Sequence, residues 1–314
     1  MKISLIVPYY NEEKNILYTL NQILNQSYKP SEIIFINSNS NDNSSLIVNN
    51  FIKDNRLNLL NYDTKAKSAS EAKNIGIKYS KSEWLAFMDC DMAFQKDWLK
   101  MQVSFALNHP HKKIIFGNTL LEGTNIIDKC CIINTYGLGK INPTIPSSLV
   151  KKSVFNITSN LFISASSHYD SYWIKKNLQE NFSIINKKSI ITYLGTNYSS
   201  SYFGLFKKSF YYSSSLKDVY SSKAYFFLIL ILIVLLSFFF VPVISLYILA
   251  IYVLSRLVFI PVIKNKNLKF YKIIKFKIFT LLFVSFLLDI GRITGILLSL
   301  FINKNKKIFK HYKN

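Results

Sequence analysis

The residues best suited to chemistry in this sequence are two carboxylates, Asp89 and Asp91, which stand one residue apart. They follow the apolar run at 84–88, and a short apolar run bounded by polar residues is typical of a strand buried on both faces. In open α/β sheets, ligands bind just beyond the carboxyl ends of the strands. Carboxylate oxygens there can bind Mg²⁺ or Mn²⁺, which in turn can hold a diphosphate. Simple capping of a loop is the alternative role for this pair.

The elements that must position this pair alternate between strands and helices. Apolar residues recur at helical spacing at Ile16, Leu20 and Ile23, which predicts an amphipathic helix. Strands that alternate with helices at this spacing indicate a parallel sheet with right-handed crossovers. We therefore predict an α/β fold with a mainly parallel sheet. Its strands are predicted at 3–7, 32–36, 57–61 and 84–88, and its helices at 16–24, 46–52 and 69–79.

The pattern is weaker in the middle of the chain. It predicts a helix at 97–107, a strand at 113–117, a helix at 168–177 and a strand at 190–194. Gly, Pro and Ser punctuate residues 121–163, so we expect an irregular region there with one or two strands. Residues 198–223 are rich in Ser, Tyr, Phe and Lys, and this composition predicts an amphipathic connection at a membrane surface.

The composition changes after residue 223. Three apolar stretches follow, at 225–241, 243–263 and 278–302, and a helix that spans a membrane needs about 20 residues. We predict one α/β domain at 1–223 and a hydrophobic, membrane-anchoring region at 224–314 with two to three membrane helices. Core helices of a soluble protein are the alternative. In the third stretch we expect Asp289 and Arg292 to pair with each other or with a neighbouring helix, because an isolated charge in lipid is costly.

The net charge of +22 bears on partners and location. Lys residues flank every apolar stretch, which favours an anionic membrane surface over nucleic acid as the partner. The positive-inside rule places these Lys residues in the cytosol. A hairpin of the first two stretches satisfies that rule, so the third is a further span or a re-entrant or interfacial segment. Gly291 and Gly295 within it have the spacing of a helix-packing site.

Four segments in this order and spacing resemble the family 2 glycosyltransferases of the GT-A fold, particularly bacterial members with a C-terminal membrane anchor. They are SLIVPYYNE at 4–12, IIFINSNSND at 33–42, AKNIG at 72–76 and FMDCD at 87–91. The resemblance covers residues 2–110 well and 155–215 loosely. It implies a Rossmann-like GT-A domain that uses Mg²⁺ or Mn²⁺ and transfers a sugar from a nucleotide-sugar donor with inversion.

The resemblance also implies a donor site. Pro8, Tyr10 and Glu12 would approach the nucleotide base and ribose, with helix capping as the alternative for Glu12. The family usually has an Asp that bonds the base at the position of Asn37. An Asn can accept a hydrogen bond there but brings no charge. Asp42 fits the acid of the following turn, and an Asx-turn or helix cap explains it as well.

The diphosphate part of this implied site involves Lys73, Asp89 and Asp91. Lys73 replaces the usual Arg and would lie near the donor diphosphate, with Lys65 and Lys67 as further candidates. Lys lacks the bidentate fork of Arg, and a solvated helix face is the alternative for Lys73. Asp91 would be the more direct metal ligand, and Asp89 would lie closer to the ribose.

An inverting transfer needs a carboxylate that takes the proton of the acceptor hydroxyl. The family usually supplies it from a Glu-Asp pair at the start of a helix. Here Tyr169 replaces the Glu, and Asp170 is the candidate catalytic base, with a helix N-cap as the alternative. His168 is a candidate for the metal or phosphate or is a surface residue. Trp173 is a candidate to stack on an acceptor sugar or is a core residue.

Taken together, these features indicate a glycosyltransferase anchored in a bacterial-type inner membrane, with its catalytic domain on the cytosolic side. It would act on a nucleotide-sugar donor and a lipid-linked or saccharide acceptor. A catalytically impaired, sugar-nucleotide-binding scaffold of the same fold is one alternative, because Asn37, Lys73 and Tyr169 replace usual residues. A channel or transporter subunit is the other alternative.

Overall fold

The structure is a computed structural model that describes residues 1–55, 58–156, 160–165, 167–194, 201–214, 229, 242–265 and 277–301. The chain divides into two compact units. Among the described residues, the first unit contains Met1–Leu120 and Ile141–Leu194, and the second contains Leu121–Lys140 and those that follow Gly195.

The first unit is built on a parallel sheet that the apolar runs of the sequence form. Its four parallel strands lie side by side in the order β3-β2-β1-β4. The strands are β1 (Ile3–Tyr9), β2 (Glu32–Asn37), β3 (Leu59–Asp63) and β4 (Trp84–Phe87). The helices between them are α1 (Ile16–Leu24), α2 (Ser44–Asn55) and α3 (Ala69–Tyr79). The predicted alternation is therefore confirmed.

Antiparallel strands extend this sheet beyond β4. The full order is β3-β2-β1-β4-β7-β6-β8-β5, and β7 runs antiparallel to both β4 and β6. The predicted strand at 190–194 is the end of a longer strand. The further elements of the sheet unit are β5 (Met92–Ala93), α4 (Trp98–Leu107), β6 (Ile114–Leu121), β7 (Ile141–Lys151), α6 (Tyr169–Leu178) and β8 (Ser183–Tyr193).

Residues 121–163 are more regular than the sequence predicts. They contain the long strand β7 and the helix α5 (Ile126–Thr135). Asn125 caps α5, because its side chain accepts a hydrogen bond from the backbone N–H of Asp128. Gly123 and Gly137 on either side of the helix have positive φ angles. The glycines therefore end a helix at turns rather than prevent one.

Helix α3 packs closely on the parallel sheet. A Cβ atom at Gly76 would lie 2.5 Å from Cγ2 of Ile6 on β1, which is closer than side-chain atoms can approach. Glycine lets the helix backbone approach the strand, and this approach fixes the distance from the face of α3 to the end of β4.

The second unit consists of α5 and a set of apolar helices. Cys131 and Ile133 of α5 form a buried cluster with Leu281, Val284 and Leu288. The other described helices are α7 (Tyr202–Ser214), α8 (Pro242–Leu254), a π-helical turn (Ser255–Phe259), α9 (Ile260–Lys264) and α10 (Ile278–Phe301).

Two of the three predicted apolar stretches are helices long and apolar enough to cross a membrane. They are Val243–Lys264 and Ile278–Ser299, and their most apolar windows are 0% and 39% buried within the molecule. The predicted stretch at 225–241 lies outside the described residues except for Ile229.

The small and charged residues of α10 have the predicted roles. A Cβ atom at Gly295 would lie 2.3 Å from the carbonyl oxygen of Phe210 on α7, so the glycine pair is a helix-packing site. Arg292 pairs with Asp289, with 3.0 Å between Nη1 and Oδ1. A second guanidinium, that of Arg256, contacts the same carboxylate oxygen at 2.5 Å.

Candidate active site

The polar ends of the parallel strands meet at one edge of the sheet. The register aligns Tyr9 with Asn37 and Asn37 with Asp63. The backbone N–H of Met88 donates to the carbonyl of Ile6 at 3.1 Å, which brings the end of β4 to the same edge. Because ligands bind at the carboxyl ends of parallel strands, this edge is the candidate active site.

Side-chain hydrogen bonds join the loops that follow β1 and β2. The backbone N–H of Asn11 donates to Ser40 Oγ at 3.0 Å, and Asn11 Oδ1 accepts from the N–H of Asn41 at 3.0 Å. Asn43 Nδ2 donates to Glu13 Oε1 at 2.8 Å. Asn11 has a φ of 49°, a conformation that asparagine tolerates better than most residues. The two loops therefore form one structure beside the strand ends.

The predicted donor residues Pro8, Tyr10 and Glu12 lie at the end of β1 and in this joined loop. Pro8 is buried, and Tyr10 is half-buried. The buried carboxylate of Glu12 accepts a hydrogen bond from Asn15 Nδ2 at 2.9 Å. Glu12 thus has a structural partner within the chain, and its contact with a nucleotide stays a prediction.

Asp42 acts as a cap in the structure. Its Oδ1 accepts a hydrogen bond from the backbone N–H of Ser44, the first residue of α2, at 3.0 Å. Its Oδ2 accepts from the N–H of Glu13 at 3.1 Å. A carboxylate at a helix N-terminus interacts favourably with the helix dipole.

Asn37 has a carboxylate for a neighbour. Its Nδ2 donates to Asp63 Oδ1 at 2.7 Å, and its Oδ1 accepts from the backbone N–H of Ser40 at 2.9 Å. The negative charge that the family usually has at the end of the second strand is here at the end of the third, on the exposed Asp63. The role of Asn37 at the nucleotide base stays a prediction.

Lys73, Asp89 and Tyr169 form a buried polar cluster at the end of β4. Lys73 Nζ lies 3.0 Å from Asp89 Oδ1 and donates to Oδ2 at 3.2 Å. It also donates to the hydroxyl oxygen of Tyr169 at 2.9 Å. The side chain of Lys73 is 1% exposed, whereas that of Asp89 is 26% exposed. Lys73 therefore positions Asp89, and a direct contact between Lys73 and the donor diphosphate stays a prediction.

The charges of this cluster follow from its contacts. Burial disfavours the charged form of Lys73, but the carboxylate of Asp89 and the hydroxyl of Tyr169 outweigh burial and raise the pKa of Lys73. Burial also raises the pKa of Tyr169. At neutral pH Lys73 is thus an ammonium group and Tyr169 is a neutral phenol.

One face of α3 holds the segment that leads to α6. Ser70 Oγ donates to the carbonyl of Ala165 at 3.0 Å and accepts from its N–H at 3.2 Å. Asn74 makes a similar pair of hydrogen bonds with the backbone of Phe162, at 2.7 and 3.1 Å. Since Ser70 and Asn74 lie on the same side of the helix as Lys73, this single face positions both α6 and the end of β4.

The pair at the end of β4 has the donor chemistry of a divalent metal site. Asp91 is half-buried, and Oδ1 of Asp89 is a buried oxygen that forms an ion pair with Lys73 at 3.0 Å but accepts no hydrogen bond of favourable geometry from the described residues. Among those residues, no group of three or more His, Cys, Asp or Glu side chains can hold a metal ion. Mg²⁺ is commonly held by one or two carboxylates plus substrate phosphates. The pair fits a metal of that kind.

Asp170 lies in the first turn of α6, next to Tyr169. It is half-buried, and its Oδ1 accepts from the N–H of Ser171 at 2.7 Å. Asp89 and Asp170 both lie within electrostatic reach of the Tyr169 hydroxyl. The candidate base is therefore in the same region of the first unit as the carboxylate pair, and its catalytic role stays a prediction.

His168 and Trp173, which lie close to Asp170 in the sequence, both have structural contacts. Trp173 is buried, donates from Nε1 to the carbonyl of Asn160 at 2.7 Å, and stacks on Phe155. It is a core residue and is not placed to stack on a sugar. His168 has a φ of 63°, and its Nδ1 lies 2.7 Å from Ser167 Oγ.

Comparison with known proteins identifies the sheet domain. Residues 4–123 match the family described as Glycosyl transferase family 2, and this range contains β1 to β4 with both carboxylates. The matched segment comprises 120 of the 314 residues of the chain. The match confirms the resemblance that the four segments carry.

Curated relatives match a similar length of the chain. An uncharacterized glycosyltransferase of Haemophilus influenzae is 37% identical over 128 residues, which are 40% of this chain and 50% of that protein. The Escherichia coli protein WfgD, a UDP-Glc:alpha-D-GlcNAc-diphosphoundecaprenol beta-1,3-glucosyltransferase, is 31% identical over 128 residues, 40% of this chain and 49% of that protein. The chain spans about half the length of the curated relatives it matches.

A solved structure has a similar fold over most of the chain. It is the mannosyltransferase PcManGT from Pyrobaculum calidifontis, in complex with GDP-Man and Mn²⁺. The TM-score is 0.54 at 13% identity, and the match covers 93% of this chain and 86% of that chain. This likeness confirms the predicted GT-A fold class.

Two residues of the site were not predicted from the sequence. Tyr169 stands out in sequence only as a replacement for Glu, yet its hydroxyl binds the ammonium that positions Asp89. Asp63 is the last residue of the third strand, and a carboxylate at the end of a parallel strand is the signal that could have identified it.

We predict that the buried cluster stabilises the first unit. Lys73→Met leaves Asp89 without its cation and should lower the free energy of unfolding by about 2–3 kcal/mol. This loss is smaller than for a fully buried ion pair because Asp89 is partly exposed. Tyr169→Phe should cost about 1.5–3 kcal/mol, since it removes a hydrogen bond to a charged group. Urea unfolding followed by tryptophan fluorescence measures both, because Trp84, Trp98 and Trp173 all lie in the first unit.

The matched control is Lys78→Met, at an exposed position of the same helix. It should change stability by less than about 1 kcal/mol. The pKa of Lys73 is higher in the folded state than in the unfolded state. The stabilisation by Lys73 is therefore complete at pH values below its unfolded pKa of about 10.4. It is lost as the pH rises through the pKa of the folded state. Equal urea midpoints for Lys73→Met and Lys78→Met at pH 7 would contradict the stabilising role.

Proposed function

We propose that the protein is a membrane-anchored glycosyltransferase that transfers a sugar from a nucleotide-sugar donor to a lipid-linked or saccharide acceptor. The observation that carries this proposal is the placement of Asp89 and Asp91 at the end of β4 within a family 2 domain. WfgD is named for a UDP-Glc donor and a diphosphoundecaprenol acceptor, and PcManGT binds GDP-Man and Mn²⁺. The name of WfgD supports the donor class, and the complex of PcManGT supports both the donor class and the metal.

In this proposal Asp91 and Asp89 hold Mg²⁺ or Mn²⁺ together with the donor diphosphate. When bound, the metal neutralises charge on the departing nucleoside diphosphate, which is Lewis-acid catalysis. Lys73 fixes the orientation of the Asp89 carboxylate through its ion pair. The joined loops after β1 and β2, with Tyr10, Glu12 and Asn37, form the surface for the base and ribose.

The acceptor is activated by Asp170. Its carboxylate takes the proton of the acceptor hydroxyl as that oxygen attacks the sugar carbon, and the bond from the sugar to the diphosphate breaks with inversion. The contact between Tyr169 and Lys73 holds the first turn of α6, so the neighbouring Asp170 is held as well. Tyr169 is thus a positioning residue.

A membrane anchor is supported by the second unit. The apolar window of Val243–Lys264 has no residue buried within the molecule, and large apolar side chains such as Leu246, Ile251 and Phe259 are exposed. In water such a surface would be unfavourable, whereas a bilayer accepts it. Lys residues around the apolar stretches support an inner-membrane location with the catalytic domain in the cytosol.

A nucleotide-sugar-binding protein without catalysis is the second candidate. The observation that favours it is Tyr169, which occupies the place of a family acid and uses its hydroxyl to bind Lys73. Donor binding by the unchanged protein without any transfer would favour this second candidate.

Asp91→Asn should remove metal-dependent donor binding. In a panel of nucleotide sugars, the donor should raise the melting temperature of the unchanged protein more with Mn²⁺ than without it, since a ligand stabilises the state that binds it. For Asp91→Asn the Mn²⁺-dependent part should vanish, and transfer should fall by about 1000-fold. The control is Asp97→Asn, an exposed acid whose side chain makes no capping hydrogen bond. A panel without any binding or transfer would refute the proposal.

Asp170→Asn should separate donor binding from transfer. The variant should bind the donor normally and lose roughly 100- to 10,000-fold in kcat, the usual contribution of a general base. Glu180→Gln, after the end of the same helix, should keep full activity. Equal kcat for Asp170→Asn and the unchanged protein would show that another group takes the proton.

A cysteine at position 78 should report the side of the membrane. The native thiols at 90, 130 and 131 are buried, so the unchanged protein should react poorly with a membrane-impermeant maleimide and serves as the control. Lys78→Cys places a thiol on an exposed position of α3. We expect labelling of this variant only after the cells are lysed, and labelling in intact cells would contradict a cytosolic domain.

A further inference from the structure

The segment that carries Asp91 depends on other elements for its hydrogen bonds. Among residues 88–97, all of which the structure describes, the two-residue strand β5 is the only regular element. Cys90, Met92 and Phe94 of this segment are nevertheless buried. Buried backbone N–H and C=O groups need hydrogen-bond partners, and helix α1 supplies several of them.

Two side chains of α1 hold the carbonyl groups on either side of Asp91. Thr19 Oγ1 donates to the carbonyl of Cys90 at 3.3 Å. Gln22 Nε2 donates to the carbonyl of Met92 at 3.1 Å. The helix therefore contacts the backbone both before and after the carboxylate-bearing residue.

The residue after β8 and the other end of the Gln22 amide complete this frame. The carbonyl of Asp91 itself accepts from the backbone N–H of Leu194 at 3.0 Å. Gln22 Oε1 accepts from the backbone N–H of Phe94. Three successive carbonyl groups, those of residues 90–92, are thus all hydrogen-bonded. The backbone from which the Asp91 side chain extends is fixed on both sides.

Thr19 and Gln22 occupy positions where the pattern of the helix favours apolar residues. They are buried together with Ile16, Leu20 and Ile23 of α1. A buried polar group costs free energy unless it is hydrogen-bonded, so apolar side chains would satisfy the packing alone. Both polar side chains donate to the segment that carries the carboxylate pair, which indicates that they fix that segment.

Gln26 makes the same type of contact farther from the site. It is buried, donates from Nε2 to the carbonyl of Gln95 at 2.9 Å, and accepts at Oε1 from the N–H of Leu99 at 3.1 Å. Gln22 holds residues one and three positions after Asp91, whereas Gln26 holds residues four and eight positions after it. The two glutamines therefore share their chemistry and differ in their distance along the chain from the carboxylate.

We propose that Thr19 and Gln22 are positioning residues that set the metal affinity of Asp91. Mg²⁺ requires near-ideal octahedral geometry, and a carboxylate on a loosely held loop must be ordered at an entropic cost before it can bind. Residues that orient a metal ligand commonly contribute about 10- to 100-fold to the affinity for the metal. The inference rests on the function proposed above, in which Asp91 holds Mg²⁺ or Mn²⁺.

The test is equilibrium dialysis of radiolabelled UDP, GDP, CDP and dTDP against the full chain in detergent micelles, over a series of Mn²⁺ concentrations. Gln22→Met keeps the approximate volume of the side chain and removes both of its hydrogen bonds. It should raise the Mn²⁺ concentration for half-maximal nucleotide binding by about tenfold or more. Nucleotide binding without Mn²⁺ should not change, whereas unfolding of the domain would lower it.

Gln26→Met is the matched control, because it removes the same two kinds of hydrogen bond from a side chain that is also buried. Both variants should lower the urea midpoint, since each leaves buried backbone groups without partners. Gln26→Met should leave the half-maximal Mn²⁺ concentration unchanged. Equal shifts for the two variants, or no shift for Gln22→Met, would overturn the positioning role of Gln22.

Thr19→Val is a milder variant, because valine has the shape of threonine without the hydroxyl that donates to Cys90. It tests the same frame even if Gln22→Met does not fold. It should raise the half-maximal Mn²⁺ concentration, and by less than Gln22→Met because it removes one contact to this segment instead of two. An unchanged Mn²⁺ dependence in Thr19→Val would overturn the positioning role of Thr19.

The unchanged protein separates this inference from the proposed function. If it binds no nucleotide, or binds one without dependence on Mn²⁺, the metal role of Asp91 is wrong and both proposals fail. If its binding depends on Mn²⁺ and neither Gln22→Met nor Thr19→Val alters that dependence, the positioning role is wrong and the transferase proposal stands.

Discussion

The ion pair between Lys73 and Asp89 is the interaction on which the rest of the site depends. It places a fully buried ammonium group directly beneath the carboxyl end of β4. A buried charge is tolerable only when it is paired and hydrogen-bonded, and Asp89 and Tyr169 meet that need together. Each partner comes from a different element. The pair therefore ties β4, α3 and α6 into one arrangement, and none of them can shift without exposing an unpaired charge.

The segment AKNIG lies in helix α3, and its residues have structural roles. Lys73 contacts Tyr169 of α6 and Asn74 contacts Phe162 before that helix, while Gly76 lets α3 lie against β1. Two hydrogen bonds fix the N-terminus of the helix, because Ser68 Oγ accepts from the N–H of Glu71 and the Glu71 carboxylate accepts from that of Lys67. Rotation or translation of α3 would displace both halves of the site at once.

The parallel half of the sheet could be predicted because its signals are local. Each strand is one apolar run, and Asp89 and Asp91 mark the end of the fourth. The antiparallel half could not, since β7 inserts between β4 and β6 through pairing with strands distant in sequence. Side-chain direction was equally inaccessible. Whether Lys73 faces a diphosphate or Asp89 depends on where Tyr169 lies, and only the tertiary structure determines that position.

The position of α5 has a consequence for how the chain is made. This helix belongs to the second unit, yet its residues interrupt the first unit between β6 and β7. Its apolar face packs on residues such as Leu281, which follow Cys131 by 150 positions. At ribosomal rates of 5–20 residues per second that interval is roughly 8–30 s. During synthesis, the apolar face of α5 stays without these partners for that time and is open to chaperones and proteases.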